Sequence, residues 1–201
     1  MYLWRKLTEN QRGELMAYRH RQELPWHSPP HRTGDKLNYL LTAACFEHHL
    51  IIGKDPGRMA AFSATLLGTL TPRSRRIVAW CVLPNHYHAL VETPDVIALL
   101  REIGRMHGRT SFTWNGEDAQ RGRKAWFNCV ETSMKSERHF WATLNYVHHN
   151  PVHHGYVARW QDWPFSSARD YLAATGEERA AEVWREYPLL DYGKDWDPKE
   201  M

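Results

Sequence analysis

The chain has 201 residues, of which 42% are hydrophobic and 24% charged, and its formal net charge is +3. This length predicts one well-packed domain with extensions, and the weak net charge does not by itself indicate a nucleic-acid partner. The N-terminus lacks the apolar run of a signal peptide, and no stretch approaches the roughly 18 apolar residues of a membrane span, so we expect no membrane partner. The three cysteines are widely spaced without a CxxC pair, which predicts reduced thiols and a cytoplasmic location.

The first predicted element is a helix over residues 8–23. Thr8 and Gln11 have the spacing of a capping box at its start. Residues 25–30 contain three prolines and predict a stiff, extended connector after the helix. We therefore interpret residues 1–36 as an N-terminal helical extension of the main domain.

The main domain begins at Leu37 with alternating strand and helix patterns. The predicted elements are strands over 37–45, 77–83 and 126–131, a further strand that opens at 86, and helices over 58–70, 94–112 and 136–149, the last stopped by Asn150-Pro151. This β-α-β-β-α-β order, followed by a further helix, is typical of an α+β fold, a ferredoxin-like antiparallel sheet with helices packed on one face. We expect the polar chain after about residue 160 to be loosely ordered.

Two histidines separated by one bulky residue follow directly after the predicted turn Pro84-Asn85. Because alternate residues of a strand point to the same face, His86 and His88 can share one metal ion. A histidine pair of this kind is, taken alone, more often surface or core filler. Its interpretation as a metal site depends on what a second segment supplies.

The last predicted helix of the core supplies a tyrosine and an asparagine. Tyr146 and Asn150 are four residues apart, so their side chains project from one helical face. If this face packs over the histidine strand, His86, His88 and Asn150 form a three-ligand site of mixed nitrogen and oxygen atoms, which suits Mg²⁺ or Mn²⁺ better than zinc. A hard divalent ion beside a tyrosine fits phosphodiester chemistry, in which the phenolate attacks and remains attached to the phosphate.

Three ordered motifs resemble those of one known family. Residues 83–91 (LPNHYHALV) resemble the HUH signature (histidine, bulky hydrophobic residue, histidine) of single-tyrosine transposases, and residues 145–155 (NYVHHNPVHHG) resemble their catalytic-tyrosine helix. Residues 162–167 (DWPFSS) are similar to the element that follows this helix in the branch called REP-associated tyrosine transposases. The resemblance covers about residues 37–172, which we interpret as the nuclease domain, and leaves residues 173–201 as a C-terminal tail.

The resemblance implies roles for four residues: Tyr146 as nucleophile, His86 and His88 as metal ligands, and Asn150 as the residue that completes the site. Members of the family cut single-stranded DNA through a 5′-phosphotyrosine, leave a free 3′-hydroxyl and rejoin strands by the reverse step. They often bind imperfect DNA hairpins of repetitive palindromic elements. The resemblance thus implies a metal-dependent single-strand DNA endonuclease and strand transferase that is bacterial and nucleoid-associated. It leaves open whether the protein is a monomer or a homodimer, and whether the tyrosine serves its own subunit.

Two other functions share these features. A protein that binds DNA hairpins without cutting them would need neither the tyrosine nor the metal ligands, and their presence argues against it. A replication-initiator or relaxase-type nickase would share the HUH motif, but the short chain without a helicase-like segment disfavours that class. Tyr87 departs from the aliphatic residue usual at the middle of the motif, and we expect it to point to the opposite strand face, toward the core.

Two basic clusters are candidate DNA-binding residues, with a solvated surface as the alternative for each. One is a stripe at helical spacing and the other lies in a loop: Arg101, Arg105 and Arg109, and Arg73, Arg75 and Arg76. Four histidines around the end of the tyrosine helix suggest either a second metal cluster or a solvated, DNA-facing helix end: His148, His149, His153 and His154. We favour the solvated end, because no carboxylate or thiol accompanies them at ligand spacing.

Overall fold

The computed structural model describes residues 8–11, 13–14, 17 and 37–189. Contacts divide the chain into two units, Met1–Asp35 and Lys36–Met201. In the first unit the predicted capping box forms: the Thr8 N–H donates to Gln11 Oε1 at 2.9 Å, and the Gln11 N–H donates to Thr8 Oγ1 at 3.3 Å. Most of the predicted helix over 8–23, the connector that follows and the end of the C-terminal tail lie outside the described residues.

Four strands and five helices form the described part of the second unit. In chain order they are β1 (Asn38–Ala44), α1 (Pro56–Leu70), β2 (Arg76–Val82), β3 (His86–Glu92), α2 (Val96–Glu117), β4 (Val130–Ser133), α3 (Glu137–His153), α4 (Ala168–Thr175) and α5 (Glu177–Glu186). The sheet has the strand order β2-β3-β1-β4, and every neighbouring pair is antiparallel. This topology confirms the α+β, ferredoxin-like prediction.

The two faces of the sheet carry different layers because successive side chains of a strand alternate between them. Tyr87, Ala89 and Val91 of β3 pack with buried residues of α1 and α2 on one face. Leu90 packs with Leu144 and other buried residues of α3 on the other face. The first two helices therefore pack together on one face, as predicted, while the further helix α3 covers the other face, to which residues 86, 88 and 90 point.

Side-chain caps define the starts of the three long helices. The Asp55 carboxylate accepts the N–H of Arg58 at α1, the Asp95 carboxylate accepts that of Ala98 at α2, and the Ser136 hydroxyl accepts that of His139 at α3. Each cap satisfies a backbone donor that the helix itself leaves unpaired. The caps fix where α2 and α3 start relative to the strands that precede them.

The strand predicted over 126–131 is shifted toward the C-terminus. Only Val130–Ser133 pair with β1, and Trp126 makes a single bridge to Cys45. The Trp126 ring instead fills the core, where it stacks on His107 at 4.2 Å between centroids and its indole N–H donates to Thr110 Oγ1. The residues before 130 that suggested a strand therefore belong to a loop that buries the Trp126 side chain.

The tyrosine helix α3 was predicted to stop before Pro151. It instead continues to His153. A proline in a helix removes one hydrogen bond to the carbonyl four residues earlier. Here it lies in the last turn, where the side chain is buried and the N–H of His154 still bonds to the Asn150 carbonyl at 3.1 Å. Asn150 is thus held inside the helix rather than at a frayed end.

Residues 160–189 contain the two helices α4 and α5, contrary to the prediction of a loosely ordered chain after about residue 160, and the remainder of the tail lies outside the described residues. Ala180 and Val183 of α5 are buried. The Asn145 amide of α3 donates to the carbonyls of Val183 and Tyr187 at 3.3 and 2.9 Å. Apolar residues three apart give α5 a buried face, and this face packs against the tyrosine helix.

Residues 163–167 cover the edge strand β2. The Val82 N–H donates to the Phe165 carbonyl at 2.8 Å, and the Ser167 N–H donates to the Trp80 carbonyl at 3.0 Å. The Trp163 indole N–H adds a bond to the Val82 carbonyl at 2.9 Å. This segment thus satisfies backbone groups that an edge strand would otherwise expose.

A buried ion-pair network joins the end of α2 to the start of α1. The Arg58 guanidinium, 5% exposed, makes two hydrogen bonds to the Asp118 carboxylate at 2.7 and 3.0 Å and one to Glu117 at 2.8 Å. Lys54 and Arg123 also bond to Asp118, at 2.6 and 2.7 Å. These bonds, led by the one from Arg58, hold the pKa of Asp118 well below its usual range.

We expect Asp118→Asn to destabilise the fold by about 3–5 kcal/mol, because it leaves the buried Arg58 without its main partner. A carboxylate whose pKa is lowered on folding stabilises the protein above its unfolded pKa, and this contribution is lost as the pH falls through the folded pKa. Urea unfolding of the wild type and the variant at neutral and acidic pH measures both effects. Asp170→Asn, on the exposed face of α4, is the control, and equal stability of Asp118→Asn and wild type at neutral pH would contradict the prediction.

Candidate active site

His86 and His88 begin β3, one of the two central strands, and point to the face that α3 covers. Both side chains are almost fully buried, and their ring centroids lie 5.1 Å apart. Tyr87 points to the opposite face, as predicted, where its hydroxyl bonds to His107 Nε2 at 3.1 Å. Burial lowers the pKa of His107 to about 3, so this ring is neutral and belongs to the core.

The turn before β3 fixes the orientation of His86. The Asn85 amide N–H donates to the His48 carbonyl at 3.3 Å, which identifies Oδ1 as the atom that faces His86. His86 Nδ1 lies 2.7 Å from this oxygen and must therefore carry the proton of the hydrogen bond. In the neutral ring, His86 Nε2 is then a lone-pair atom.

Asn150 brings an oxygen to this lone pair. Its Oδ1 lies 3.0 Å from His86 Nε2, and both side chains are buried. Two acceptor atoms at this distance repel each other unless a proton or a metal ion lies against both. The Asn150 Nδ2 atom has no hydrogen-bond partner among the described residues.

The second imidazole lies between a threonine and the tyrosine. His88 Nδ1 lies 2.9 Å from the Thr42 hydroxyl, on the residue that pairs with it in β1. Its Nε2 atom lies 3.4 Å from the Tyr146 hydroxyl, and the two rings meet edge to face at 5.0 Å. Within one chain, the tyrosine therefore lies beside the second histidine.

The spacing of His86 and Asn150 matches two adjacent positions around a hard divalent ion. Ligand atoms about 2.1 Å from one octahedral ion, at a right angle to each other, lie roughly 3.0 Å apart, and His86 Nε2 and Asn150 Oδ1 have this spacing. Among the described residues, no three histidine, cysteine, aspartate or glutamate side chains are grouped to hold a metal ion. A three-ligand site here therefore depends on the asparagine oxygen.

The other predicted residues do not join this site. Arg101, Arg105 and Arg109 are exposed on α2, which packs against the opposite face of the sheet. In the loop cluster, Arg73 shares Glu102 with Arg105, and Arg75 and Arg76 share Glu92. Their contact with DNA stays a prediction.

The histidines at the end of α3 are not one solvated group. His148 is buried, bonds to the Ser167 hydroxyl at 2.9 Å and stacks on Trp160, and its burial lowers its pKa to about 3. The ring of His154 lies 5.0 Å from that of His86, while His153 is exposed. The expectation of a solvated helix end was therefore wrong for His148, which ties α3 to the segment that covers β2.

Sequence reasoning did not identify Asn85 and Thr42 as parts of the site. Asn85 was interpreted only as a turn residue, although its position next to His86 was the available signal. Thr42 gives no signal in the sequence, because its contact depends on the register between β1 and β3. Each residue forms a hydrogen bond with Nδ1 of an imidazole, so that Nε2 of the same ring faces the site. The hydrogen-bond partners of ligand histidines in metal centres act in this way.

Two known proteins are similar in sequence to part of this chain. A candidate REP-associated tyrosine transposase of Haemophilus influenzae is 30% identical over 45% of this chain and 57% of that protein. The REP-associated tyrosine transposase of Escherichia coli is 31% identical over 47% of this chain and 55% of that protein. The chain thus matches little more than half the length of these relatives, and no protein-family model matches it.

A solved structure shares the fold. A REP-associated tyrosine transposase bound to a REP hairpin superposes with a TM-score of 0.56 at 22% identity, over 73% of this chain and 86% of that chain. No helix in the described residues has the length and apolar character to cross a membrane. Two proteins similar in sequence and one similar in fold carry the same name, so this chain is similar to the REP-associated tyrosine transposases over part of its length.

Proposed function

We propose that the protein is a metal-dependent single-strand DNA endonuclease and strand transferase that acts on hairpins of repetitive palindromic elements. The observation that supports this most directly is the meeting of Tyr146 with His88, His86 and Asn150 in one buried site. The relatives named above supply the class of DNA substrate. A DNA substrate of this class would place the protein at the bacterial nucleoid, in the cytoplasm.

Tyr146 is the proposed nucleophile. Its phenol releases a proton, the phenolate oxygen forms a bond to the scissile phosphorus, and the bond from phosphorus to the 3′-oxygen breaks. The released 3′-oxygen takes up a proton, which leaves a 5′-phosphotyrosine and a free 3′-hydroxyl. The packing of α3 on the sheet holds the phenol oxygen beside His88, so little reorientation of the side chain is needed before attack. Because the phosphate bond is kept in the covalent link, rejoining needs no nucleotide cofactor.

His86, His88 and Asn150 are the proposed ligands of one Mg²⁺ or Mn²⁺ ion. When bound, the ion would polarise the scissile phosphate and orient it toward the tyrosine. The hydrogen bonds that the imidazoles make with Asn85 and Thr42 orient them, and the helical position of Asn150 orients its oxygen. The protein's share of the reaction is thus to align three ligands and one nucleophile.

The test is a labelled single-stranded DNA that contains candidate palindromes, incubated with the protein and Mn²⁺. We expect a protein–DNA adduct that survives denaturation. A chelator should abolish the adduct and spare most hairpin binding. Absence of an adduct with every divalent metal tried would refute the proposed function, and equal cleavage in excess chelator would refute the role of the metal.

Metal binding can be measured without DNA. We expect Asn150→Ala and His86→Ala each to weaken Mn²⁺ binding at least about tenfold, because each removes one of three ligands. Calorimetric titration with Mn²⁺ gives the affinities. His153→Ala, an exposed histidine on the same helix, is the matched control and should bind Mn²⁺ like the wild type. Unchanged affinity in both ligand variants would contradict the assignment.

A further inference from the structure

An open groove of about 810 Å³ lies at the end of the sheet where β3 begins. Its walls are the loop after β1, through residues 46–54, and the loop after α2, through residues 118–124. We call it the loop groove. Its volume is in the range of pockets that bind small ligands, and none of its residues belongs to the tyrosine site.

The loop groove is attached directly to the turn that precedes His86. The Cys45 N–H donates to the Asn85 carbonyl at 2.7 Å, and the Gly53 N–H donates to the Pro84 carbonyl at 2.8 Å. The Asn85 side chain adds its bond to the His48 carbonyl. The loop groove therefore lies beside the turn that positions His86.

Positive charge exceeds negative charge in the groove. Four cationic residues and one carboxylate line the groove: Lys54, Arg58, Arg123, Lys124 and Asp118. A second carboxylate, that of Glu117, forms an ion pair with Arg58. Asp118 holds Lys54 and Arg123 in fixed positions, while Lys54 is still 48% exposed. Cations that are already held in place lose little conformational entropy when they bind a phosphate.

The groove also presents flat apolar surface. Phe46 lines it and packs against Phe127 at 4.9 Å between ring centroids. The exposed Lys124 ammonium lies 4.5 Å from the centre of the Phe46 ring, and Leu50 beside it is 58% exposed. Aromatic rings interleaved with cations are the pattern that binds single-stranded nucleic acid, because bases stack on the rings and phosphates meet the cations.

We infer that the loop groove binds unpaired nucleotides of the DNA strand next to the cleavage site. A base packs on Phe46, and the adjoining phosphates meet Lys124 and Lys54. This inference rests on the proposed function for its DNA substrate, but it concerns binding and not cleavage. It assigns recognition of the unpaired strand to residues that lie away from the two basic clusters visible in the sequence.

The test measures binding of two hairpins, one with single-stranded extensions on both sides of its stem and one with blunt ends. Both are titrated with protein that carries Tyr146→Phe, so that no strand is cut. We expect Phe46→Ala to weaken binding of the extended hairpin about tenfold and to leave the blunt hairpin unchanged. Lys124→Ala changes an exposed residue. For the extended hairpin it should lower the slope of the logarithm of the binding constant against the logarithm of the salt concentration by about 0.7 in magnitude.

Lys135→Ala removes an exposed lysine outside the groove and is the matched control. Thermal unfolding of each variant verifies that it is folded. Equal loss of affinity for both hairpins, or no loss for the extended one, would overturn the inference. Failure of the proposed function is distinguishable, because it shows as absence of the covalent adduct in the wild type, whatever the groove variants do in binding.

Discussion

Tyr146→Phe is expected to lower formation of the covalent protein–DNA adduct by at least about a thousandfold, because it removes the oxygen that attacks the phosphate. Binding of the hairpin should stay near that of the wild type. The hydroxyl that is removed lies 3.4 Å from His88 Nε2, a long distance for a hydrogen bond, so we also expect little loss of stability. Denaturing gels measure the adduct, and titration measures hairpin binding.

Tyr171→Phe on α4 is the matched control for this experiment. It removes a phenol oxygen outside the site, on a helix that packs behind α3. Adduct formation in this variant should match the wild type. An adduct of wild-type strength in Tyr146→Phe would show that another residue attacks, and the nucleophile assignment would then be wrong.

Gly53→Ala is expected to disrupt the active site from outside it. A Cβ atom at Gly53 would lie 2.3 Å from Pro84 Cβ and 2.7 Å from Pro84 Cα, so the turn before His86 must move. Overpacking of this kind costs about 1–3 kcal/mol, and the bonds from Gly53 and Cys45 to the turn would lengthen. We expect a lower urea midpoint and at least about tenfold weaker Mn²⁺ binding.

Gly68→Ala makes the same chemical change as Gly53→Ala but is expected to raise the stability of the protein. Gly68 lies on the exposed face of α1, and no atom lies within 4 Å of a Cβ placed there. Alanine in a helix interior is more stable than glycine by roughly 0.5–1 kcal/mol, so this variant should unfold at higher urea. If both variants bind Mn²⁺ equally well, the close approach of Gly53 to Pro84 does not position His86.

Short-range rules were sufficient for much of the fold and for the make-up of the site. The alternation of β3 puts residues 86 and 88 on one face of the strand, and the helical spacing puts residues 146 and 150 on one face of α3. In the structure these two faces are in contact. The roles of these four residues stay predictions. The rules failed where tertiary packing decided the outcome, as when burial kept Pro151 inside α3 and Trp126 left the strand to fill the core.

Long-range features gave no usable sequence signal. Thr42 and His88 are in contact although they lie 46 positions apart in the sequence. The loop groove forms between two loops that are separated in the sequence by α1, β2, β3 and α2. Charge patterns in the sequence instead drew attention to arginines that share two carboxylates on the surface. A stripe of like charge can be recognised locally, but a groove exists only after the chain has folded.

The covering of β2 by residues 163–167 has a consequence for self-association. Backbone groups of this edge strand that could template another strand are already used within the chain. In the described part of the protein the opposite edge is β4, which has only four residues and carries Glu131. A short edge with a charge gives a second molecule little to pair with. The two edges of the described sheet therefore carry the features that disfavour edge-to-edge pairing between molecules.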